Sequence, residues 1–239
     1  MDNAGYITLT RQSGLMREMQ AVAHNIANLS TTGYRREGLV FTEFVRALED
    51  GEPSLSMAAA NARHTSPLPG AVTATGGPLD LAIEGEGFFQ LEGPDGLRLT
   101  RAGAFLTNDA SELVNADGLR VLDAGGAPIF VPPDARSLAI GSDGTLSADE
   151  LPVAQIGLVR PVDPLSLSRA AGVMFTVDGE VEPVEAPMIL QGHLEGSNVE
   201  PVAEIARMIE VQRTYELGQA FLDREDERIR AVVQTLGRS

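Results

Sequence analysis

The sequence predicts an α+β fold in which two discontinuous terminal helices form a coiled-coil unit around an inserted antiparallel β domain. Three observations favour this fold. Apolar residues follow a heptad spacing near both ends of the chain, four Asp-Gly dipeptides separate short apolar runs in the middle, and the acidic charge is concentrated in that middle.

The N-terminal segment carries the first heptad stripe. Leu15, Met19, Val22, Ile26 and Leu29 are separated by alternating steps of four and three residues. This spacing is typical of a helix that buries one face against another helix. The polar Ser-Thr-Thr-Gly run that follows predicts the end of the helix, because glycine is suited to a helix C-terminus.

A longer stripe with the same spacing occupies residues 205–236, and seven of its ten positions are apolar or aromatic. We expect Ser197 or Asn198 to cap this helix and Pro201 to lie in its first turn. One heptad helix cannot bury its own stripe, so the two terminal helices are expected to pair with each other, with other copies or with other proteins. Packing of both helices on one globular core is the alternative.

The middle of the chain is predicted to be antiparallel β structure over about residues 77–190. Asp-Gly dipeptides at 95–96, 117–118, 143–144 and 178–179 are each flanked by short apolar or alternating runs, which indicates hairpins. The predicted domains are therefore a coiled-coil unit of residues 1–35 plus 197–239, a connector of residues 36–76, and a β-rich outer domain of residues 77–196. Within the connector, the small residues 57–62 are compatible with a short helix, and a loop that links the first helix to the β domain is the alternative.

Composition excludes several classes of function. The formal charge is −16 and the pI about 4.5, which argues against nucleic acid or anionic lipid as the main partner. Residues 49–198 carry seven Arg against 22 acidic residues, whereas the two ends are almost neutral. Cysteine is absent, and the sequence has neither a secretory signal nor an apolar run long enough to cross a membrane.

Catalytic, cofactor-binding and metal-binding residues are not predicted. His24, His64 and His193 do not have metal-ligand spacing. The Glu-Gly-Glu-Gly run at 84–87 lacks the third glycine of a dinucleotide loop, so it is interpreted as a tight turn before a strand that begins at Phe88.

Four segments carry a resemblance to a known family. Residues 21–36 read AVAHNIANLSTTGYRR, residues 78–89 read PLDLAIEGEGFF, residues 99–105 read LTRAGAF, and LEGSNV at 194–199 is followed by MIEVQRTYE at 208–216. In this order they resemble the signatures of bacterial flagellar rod and hook proteins. Two positions depart from the family pattern, His24 and Gly218.

The resemblance implies a structural axial subunit of the flagellar basal body rather than an enzyme. It implies a periplasmic rod protein that is exported by the flagellar type III apparatus without a cleaved signal peptide and transmits torque by helical assembly. The implied partners are the rod proteins FlgG, FlgB and FlgC, and possibly further copies of the chain itself, without nucleic acid or membrane insertion.

Within the family, the length and the Met-Asp-Asn-Ala start resemble the proximal-rod branch. The distal-rod branch has a Phe-x-Asn-Pro-Ala-Gly-Leu stretch after the β core, whereas residues 158–165 read LVRPVDPL. The alternatives are a distal-rod protein and, from another class, a β-domain enzyme or carbohydrate-binding module with helical tails.

The stripe positions and the signature segments together predict an assembly interface. Its residues are Leu15, Met19, Val22, Asn25, Ile26, Asn28, Thr32, Gly33, Tyr34, Ser197, Asn198, Val199, Ile205, Met208, Gln212, Arg213, Tyr215, Leu222, Ile229, Val233 and Leu236.

Overall fold

The computed structural model describes residues 2–46 and 55–236. Helix α1 (Asp2–Ala27) begins this part of the chain and helix α2 (Pro201–Leu236) ends it. The strands between them are β1 (Glu37–Arg46), β2 (Leu55–Thr65), β3 (Val72–Ala74), β4 (Leu81–Ile83), β5 (Phe88–Gly93), β6 (Gly96–Thr100), β7 (Leu106–Thr107), β8 (Leu113–Val114), β9 (Arg120–Val121), β10 (Leu138–Ile140), β11 (Thr145–Ala148), β12 (Leu151–Gln155), β13 (Leu158–Pro161), β14 (Leu167–Arg169), β15 (Met174–Val177), β16 (Val181–Pro183), β17 (Ile189–Gln191) and β18 (His193–Glu195). A 3-10 helix occupies Pro164–Ser166. Helices at both ends with antiparallel strands between them confirm the predicted α+β class.

The chain divides into two compact units. A helical unit contains α1, β1, β2 and α2, and a β-rich unit contains residues 28–36 and 65–199. The short segment after α1 therefore belongs to the β-rich unit, although it continues directly from a helix of the other unit. The domain boundaries drawn from the sequence remain a prediction.

The β-rich unit is built around a nine-stranded antiparallel sheet. Its main path runs β14-β15-β6-β5-β9-β8-β7, with β13 pairing β5 and β16. A three-stranded sheet β10-β11-β12 and two strand pairs, β17-β4 and β18-β3, complete the unit. The larger core cluster is formed by Leu81, Ile83, Phe89, Leu91, Phe105, Leu113, Val121, Ile129, Val131, Ile140, Leu146, Ile156, Leu158 and Ile189.

Three of the four Asp-Gly turns join paired strands, as predicted. They lie between β5 and β6, between β8 and β9, and between β10 and β11. The fourth, at 178–179, is not a hairpin, because β15 pairs with β14 and β6 whereas β16 pairs with β13. An Asp-Gly turn reverses the chain locally, but the partner of the following strand is decided by packing elsewhere.

Two local predictions about the connector and the second helix are wrong. Residues 57–62 belong to strand β2, which pairs with β1, and form neither the short helix nor the loop that were expected. Small residues tolerate either state, and ladder pairing overrides their helix propensity. Helix α2 begins at Pro201, as expected, but neither Ser197 nor Asn198 lies directly before it. The turn before β5 is confirmed, since Gly85 and Gly87 have φ values of +95° and +110°.

Within the described residues, neither helix is both long and apolar enough to cross a bilayer.

Candidate assembly interface

In the helical unit, α1 and α2 pack antiparallel. The side-chain Nε2 of Gln12 donates to the carbonyl of Tyr215 at 2.9 Å, and Nε of Arg207 donates to Glu18 Oε1 at 2.7 Å. The earlier residue of α1 meets the later residue of α2, which defines the antiparallel direction. The predicted pairing of the terminal helices is therefore present within one chain.

Asn25 joins three elements of this unit. Its side chain is fully buried, accepts from the backbone N–H of Glu37 at 2.9 Å and donates to the Glu37 carbonyl at 2.8 Å. It also donates to Oε2 of Glu204, a buried carboxylate in the first turn of α2, at 3.1 Å. This amide ties α1 to the start of β1 and to α2, so its main contacts lie inside the chain.

The face of α2 that packs on α1 differs by one residue from the predicted stripe at every second position. The positions of α2 that are buried or partly buried include 204, 208, 211, 215, 218 and 222, whereas the predicted stripe contains 205, 208, 212, 215, 219 and 222. Glu204 and Val211 are buried, and Ile205 and Gln212 are exposed. Regular steps of three and four residues from Ile205 lead to Gln212 instead of the buried Val211, and they miss Glu204 and Gly218 in the same way.

Close packing of the two helices explains why glycine stands at position 218, one of the two departures from the family pattern. A Cβ at this position would lie 2.3 Å from Nε2 of Gln12. That nitrogen is the donor to the Tyr215 carbonyl, so the missing side chain makes room for a hydrogen bond between the two helices.

The C-terminal part of α2 extends past α1. The pairing of residue 12 with 215 and of 25 with 204 places Asp2 opposite about residue 226, because both helices rise equally per residue. From Asp226 to Leu236 every residue is exposed. The apolar side chains here share one face of the helix and are 47–71% exposed: Ile229, Val232, Val233 and Leu236.

In the β-rich unit, Gly33 and Tyr34 fix the segment that follows α1. Gly33 has φ +68°, its N–H donates to the Glu195 carbonyl at 2.8 Å, and a Cβ would lie 2.2 Å from the Ala102 nitrogen. The Tyr34 ring is 1% exposed, and the Arg169 guanidinium lies 4.4 Å from its centroid, in cation–π range. Only glycine fits at position 33, because the backbones of Gly33 and Ala102 approach so closely.

A buried charge cluster lies beside this segment. The carboxylate of Glu195 bridges Nη2 of Arg35 at 2.8 Å and Nε of Arg101 at 2.7 Å. Arg101 also donates to the carbonyls of Gly87, Ile83 and Gly85 at 2.7–3.1 Å. Burial, and then repulsion from Arg101, lower the pKa of Arg35 to about 10 against the opposing effect of Glu195, so Arg35 stays charged at neutral pH. Burial also lowers the pKa of Arg101, and Glu195 opposes that effect.

Asn198 connects three stretches of the β-rich unit. Its Oδ1 accepts from the Arg36 N–H at 2.6 Å, its Nδ2 donates to the Leu68 carbonyl at 2.6 Å, and its own N–H donates to the Tyr34 carbonyl at 3.2 Å. The signature segments from the two ends of the sequence therefore meet in this unit, and Asn198 serves this junction rather than the cap of α2.

The predicted interface residues fall into three groups by exposure. Those buried within the chain are Val22, Asn25, Gly33, Tyr34 and Val199. Those of intermediate burial are Leu15, Met19, Ile26, Asn28, Thr32, Ser197, Asn198, Met208, Tyr215 and Leu222. Those exposed are Ile205, Gln212, Arg213, Ile229, Val233 and Leu236. Only an exposed group is available to another molecule without rearrangement, so the buried residues act by shaping the two units.

Sequence reasoning missed the buried charged residues. Arg35, Glu37, Arg101, Glu195 and Glu204 are each at most 4% exposed. Charged residues are normally assigned to the surface, and the partners of these are far away in sequence. Within the described part of the chain, no group of three or more His, Asp or Glu side chains is arranged to hold a metal ion.

Comparison with known families matches two regions of the chain. Residues 82–148 match the family described as "Flagellar hook protein FlgE/F/G D1 domain", and residues 190–235 match "Flagellar basal body rod FlgEFG protein C-terminal". These regions cover much of the β-rich unit and most of α2.

Curated relatives match over the whole length. The chain is 40% identical to the flagellar basal-body rod protein FlgF of Caulobacter vibrioides, with 100% of the chain and 99% of the relative covered. It is 34% identical to FlgF of Mesorhizobium japonicum, with 99% of each covered, and 27% identical to the rod protein FlgG of Bacillus subtilis, with 95% and 97% covered. The chain is thus more similar to these FlgF proteins than to this FlgG protein, which confirms the branch of the family that was preferred from the sequence.

Proposed function

The chain belongs to the FlgF family of flagellar basal-body rod proteins, and we propose that it assembles into the rod through the exposed apolar stripe at the C-terminal end of α2. It is a structural subunit and not an enzyme, and it assembles with other flagellar rod proteins. The observation that carries the proposal is the face formed by Ile229, Val232 and Val233, which lies beyond the reach of α1.

Burial of the exposed apolar stripe against another subunit would contribute favourable free energy to assembly. Full burial of a large aliphatic side chain contributes about 1.5–3 kcal/mol, and these side chains are about half exposed. Completing their burial therefore adds about 1 kcal/mol for each side chain. Three or four of them together change an association constant by about 10²–10³-fold, since 1.4 kcal/mol corresponds to a factor of ten.

Charge supports contacts through the helical ends. The ends of the sequence are almost neutral, whereas residues 49–198 carry 22 acidic residues against seven Arg. Crowding many copies of the terminal helices costs little electrostatic energy, while the acidic middle disfavours close contact with itself. We propose that torque passes through these packed helices.

We propose FlgG as the neighbour on the distal side and FlgB or FlgC on the proximal side, with further copies of this chain as additional neighbours. We also propose a periplasmic location, reached through the flagellar type III export apparatus without a cleaved signal peptide. Because the sequence has no cysteine, an Ile229→Cys variant has a single reactive site. Cross-linking this variant in basal bodies, followed by mass spectrometry, identifies the neighbour directly.

The assembly surface is tested by charge insertion. Ile229→Asp and Val233→Asp each place a carboxylate where the proposal requires apolar contact, so we expect loss of motility and loss of the subunit from isolated basal bodies. The matched control is Gln234→Asp, which adds the same charge on the opposite side of α2 and leaves motility intact.

Both Asp variants lie at exposed positions, so the thermal unfolding of the purified protein stays close to that of the wild type. Normal motility and normal basal-body content in Ile229→Asp and Val233→Asp cells would contradict the proposal. Equal defects in the Gln234→Asp cells would show that added charge, and not the apolar stripe, is responsible.

A further inference from the structure

The β-rich unit contains a cleft that takes no part in helix pairing. Its volume is about 560 Å³, within the usual range of roughly 300–1,000 Å³ for ligand sites. Two of its lining residues, Arg35 and Arg101, are 4% and 1% exposed and form its floor. Apolar wall residues are Pro67, Pro69, Phe88, Pro161, Val162, Pro164 and Leu167.

Charge is distributed unequally between floor and mouth. On the floor, Arg35 and Arg101 share the single carboxylate of Glu195, which leaves one buried positive charge. At the mouth, the half-exposed Arg160 contacts two carboxylates, Glu86 at 3.0 Å and Glu182 at 2.6 Å, which leaves one negative charge. A single anion that reaches the floor is attracted, whereas a run of anions meets repulsion at the mouth.

One hydrogen-bond donor of the Arg35 guanidinium has no partner. Its Nη1 donates to the carbonyls of Pro67 and Leu68, and its Nη2 contacts Glu195, but its buried Nε has no acceptor. Arg pairs best with a carboxylate through two parallel N–H donors, and here Glu195 occupies only one side of that fork because its other oxygen contacts Arg101. A buried donor without a partner costs about 1–3 kcal/mol. Because Nε is buried, a second carboxylate oxygen reaches it only when the Arg35 side chain shifts toward the cleft, and it then relieves this cost.

The walls restrict what else the ligand contains. Four of the lining residues are proline, which has no backbone N–H and so offers an anion no donor; the guanidiniums are the lining donors that carry a positive charge. The apolar side chains of Phe88, Val162 and Leu167 favour hydrocarbon beside the carboxylate. The cleft is also much larger than a bare carboxylate, and this volume and lining suit an extended peptide.

We propose that this cleft binds one carboxylate side chain, carried by an extended peptide segment with apolar neighbours, against the guanidinium of Arg35. The proposal does not depend on the helical assembly surface. A bound carboxylate would also oppose the burial and the Arg101 repulsion that depress the pKa of Arg35.

The test titrates the peptide acetyl-Val-Glu-Val-amide into the full-length protein and measures its dissociation constant by ligand-detected NMR. The matched peptide acetyl-Val-Gln-Val-amide keeps the shape and loses the charge, and we expect it to bind at least tenfold more weakly. We expect acetate to bind at least tenfold more weakly as well, because it makes no contact with the apolar walls. We expect the same of acetyl-Glu-Glu-Glu-amide, because its extra carboxylates are repelled by the acidic mouth.

Variants place the binding in this cleft. Arg35→Gln removes the anchor and is expected to abolish binding, but it also changes a buried cluster. Val162→Asp avoids that difficulty, because Val162 is 59% exposed and lines the cleft. It is expected to weaken binding at least fivefold. Its control is Leu165→Asp, since Leu165 is 79% exposed and does not line the cleft, and this variant is expected to bind like the wild type.

Binding of the Glu and Gln peptides within twofold of each other would overturn the proposal, as would unchanged binding by Val162→Asp. Acetate or the acidic run binding as tightly as acetyl-Val-Glu-Val-amide would overturn the assignment to a single carboxylate on a peptide.

Discussion

Replacing Arg101 by Met tests whether the buried charge cluster holds the β-rich unit together. Met keeps most of the side-chain length and the apolar contacts but removes the guanidinium. The change removes the 2.7 Å contact with Glu195 and three hydrogen bonds to the carbonyls of Ile83, Gly85 and Gly87. Those carbonyls form the turn that leads into β5, so the loss reaches the central sheet.

Removing one partner of a buried ion pair typically destabilises by about 3–5 kcal/mol. Two features of this cluster favour the lower end of that range. Glu195 keeps its contact with Arg35 and accepts from the Gly70 N–H at 2.9 Å, and the loss of Arg101 ends its repulsion of Arg35. We therefore expect a loss of about 3 kcal/mol in the free energy of unfolding. This corresponds to a factor of about 10² in the folding equilibrium and about 10 °C in melting temperature.

The assay is urea unfolding of the full-length protein, monitored by far-ultraviolet circular dichroism at a wavelength where β structure gives its signal. Arg98→Met is the matched control, because Arg98 pairs with Asp95 at 3.3 Å and Asp95 is 82% exposed. A pair with one carboxylate this exposed to water contributes at most about 1 kcal/mol. The reasoning is refuted if Arg101→Met unfolds within 1 kcal/mol of the wild type, or if Arg98→Met is destabilised equally.

Two further predictions concern backbone approach and pH. Gly33→Ala is expected to destabilise the protein by at least about 2 kcal/mol, because its Cβ meets the Ala102 backbone. Gly85→Ala is the control: Gly85 has φ +95° and open space around it, so this change costs only about 1 kcal/mol of backbone strain. Equal shifts in the melting temperatures of the two variants would contradict this prediction. A hydrogen bond from Asn108, aided by Arg120, holds the pKa of Glu112 below its usual value, so its stabilisation is present above that usual value and is lost as pH falls. Glu112→Gln is therefore expected to melt below the wild type at about pH 6, and the difference in melting temperature is expected to shrink steadily as pH falls below the usual carboxyl pKa. A pH-independent difference would count against the assignment.

Regular local patterns allowed much of the fold to be predicted from the sequence. Alternating runs separated by Asp-Gly located the antiparallel middle and three of its hairpins, because both the turn and the alternation are encoded within a few residues. The prediction was wrong where the deciding contact is distant, as at residues 57–62, which form β2 because β1 lies beside them. The turn at 178–179 was misread for the same reason.

The buried polar contacts were harder to predict. Positions 208, 215 and 222 of the face of α2 that packs on α1 were predicted, but regular steps of three and four residues led to Gln212 instead of the buried Val211 and missed Glu204 and Gly218. Their places follow from Asn25 and Gln12 on the other helix, almost two hundred residues away. The cluster of Arg35, Arg101 and Glu195 likewise joins three distant segments and has no local signal.

The unequal lengths of α1 and α2 give each molecule a direction. One end of the helix pair is closed by Asn25, whereas the other ends in about ten residues of a single helix. If the tail of each copy is covered by the next, the array that results has two chemically different tips, one with its tails already covered and one that still presents them. Such a polymer is polar, so an incoming subunit makes a different contact at each of its two ends.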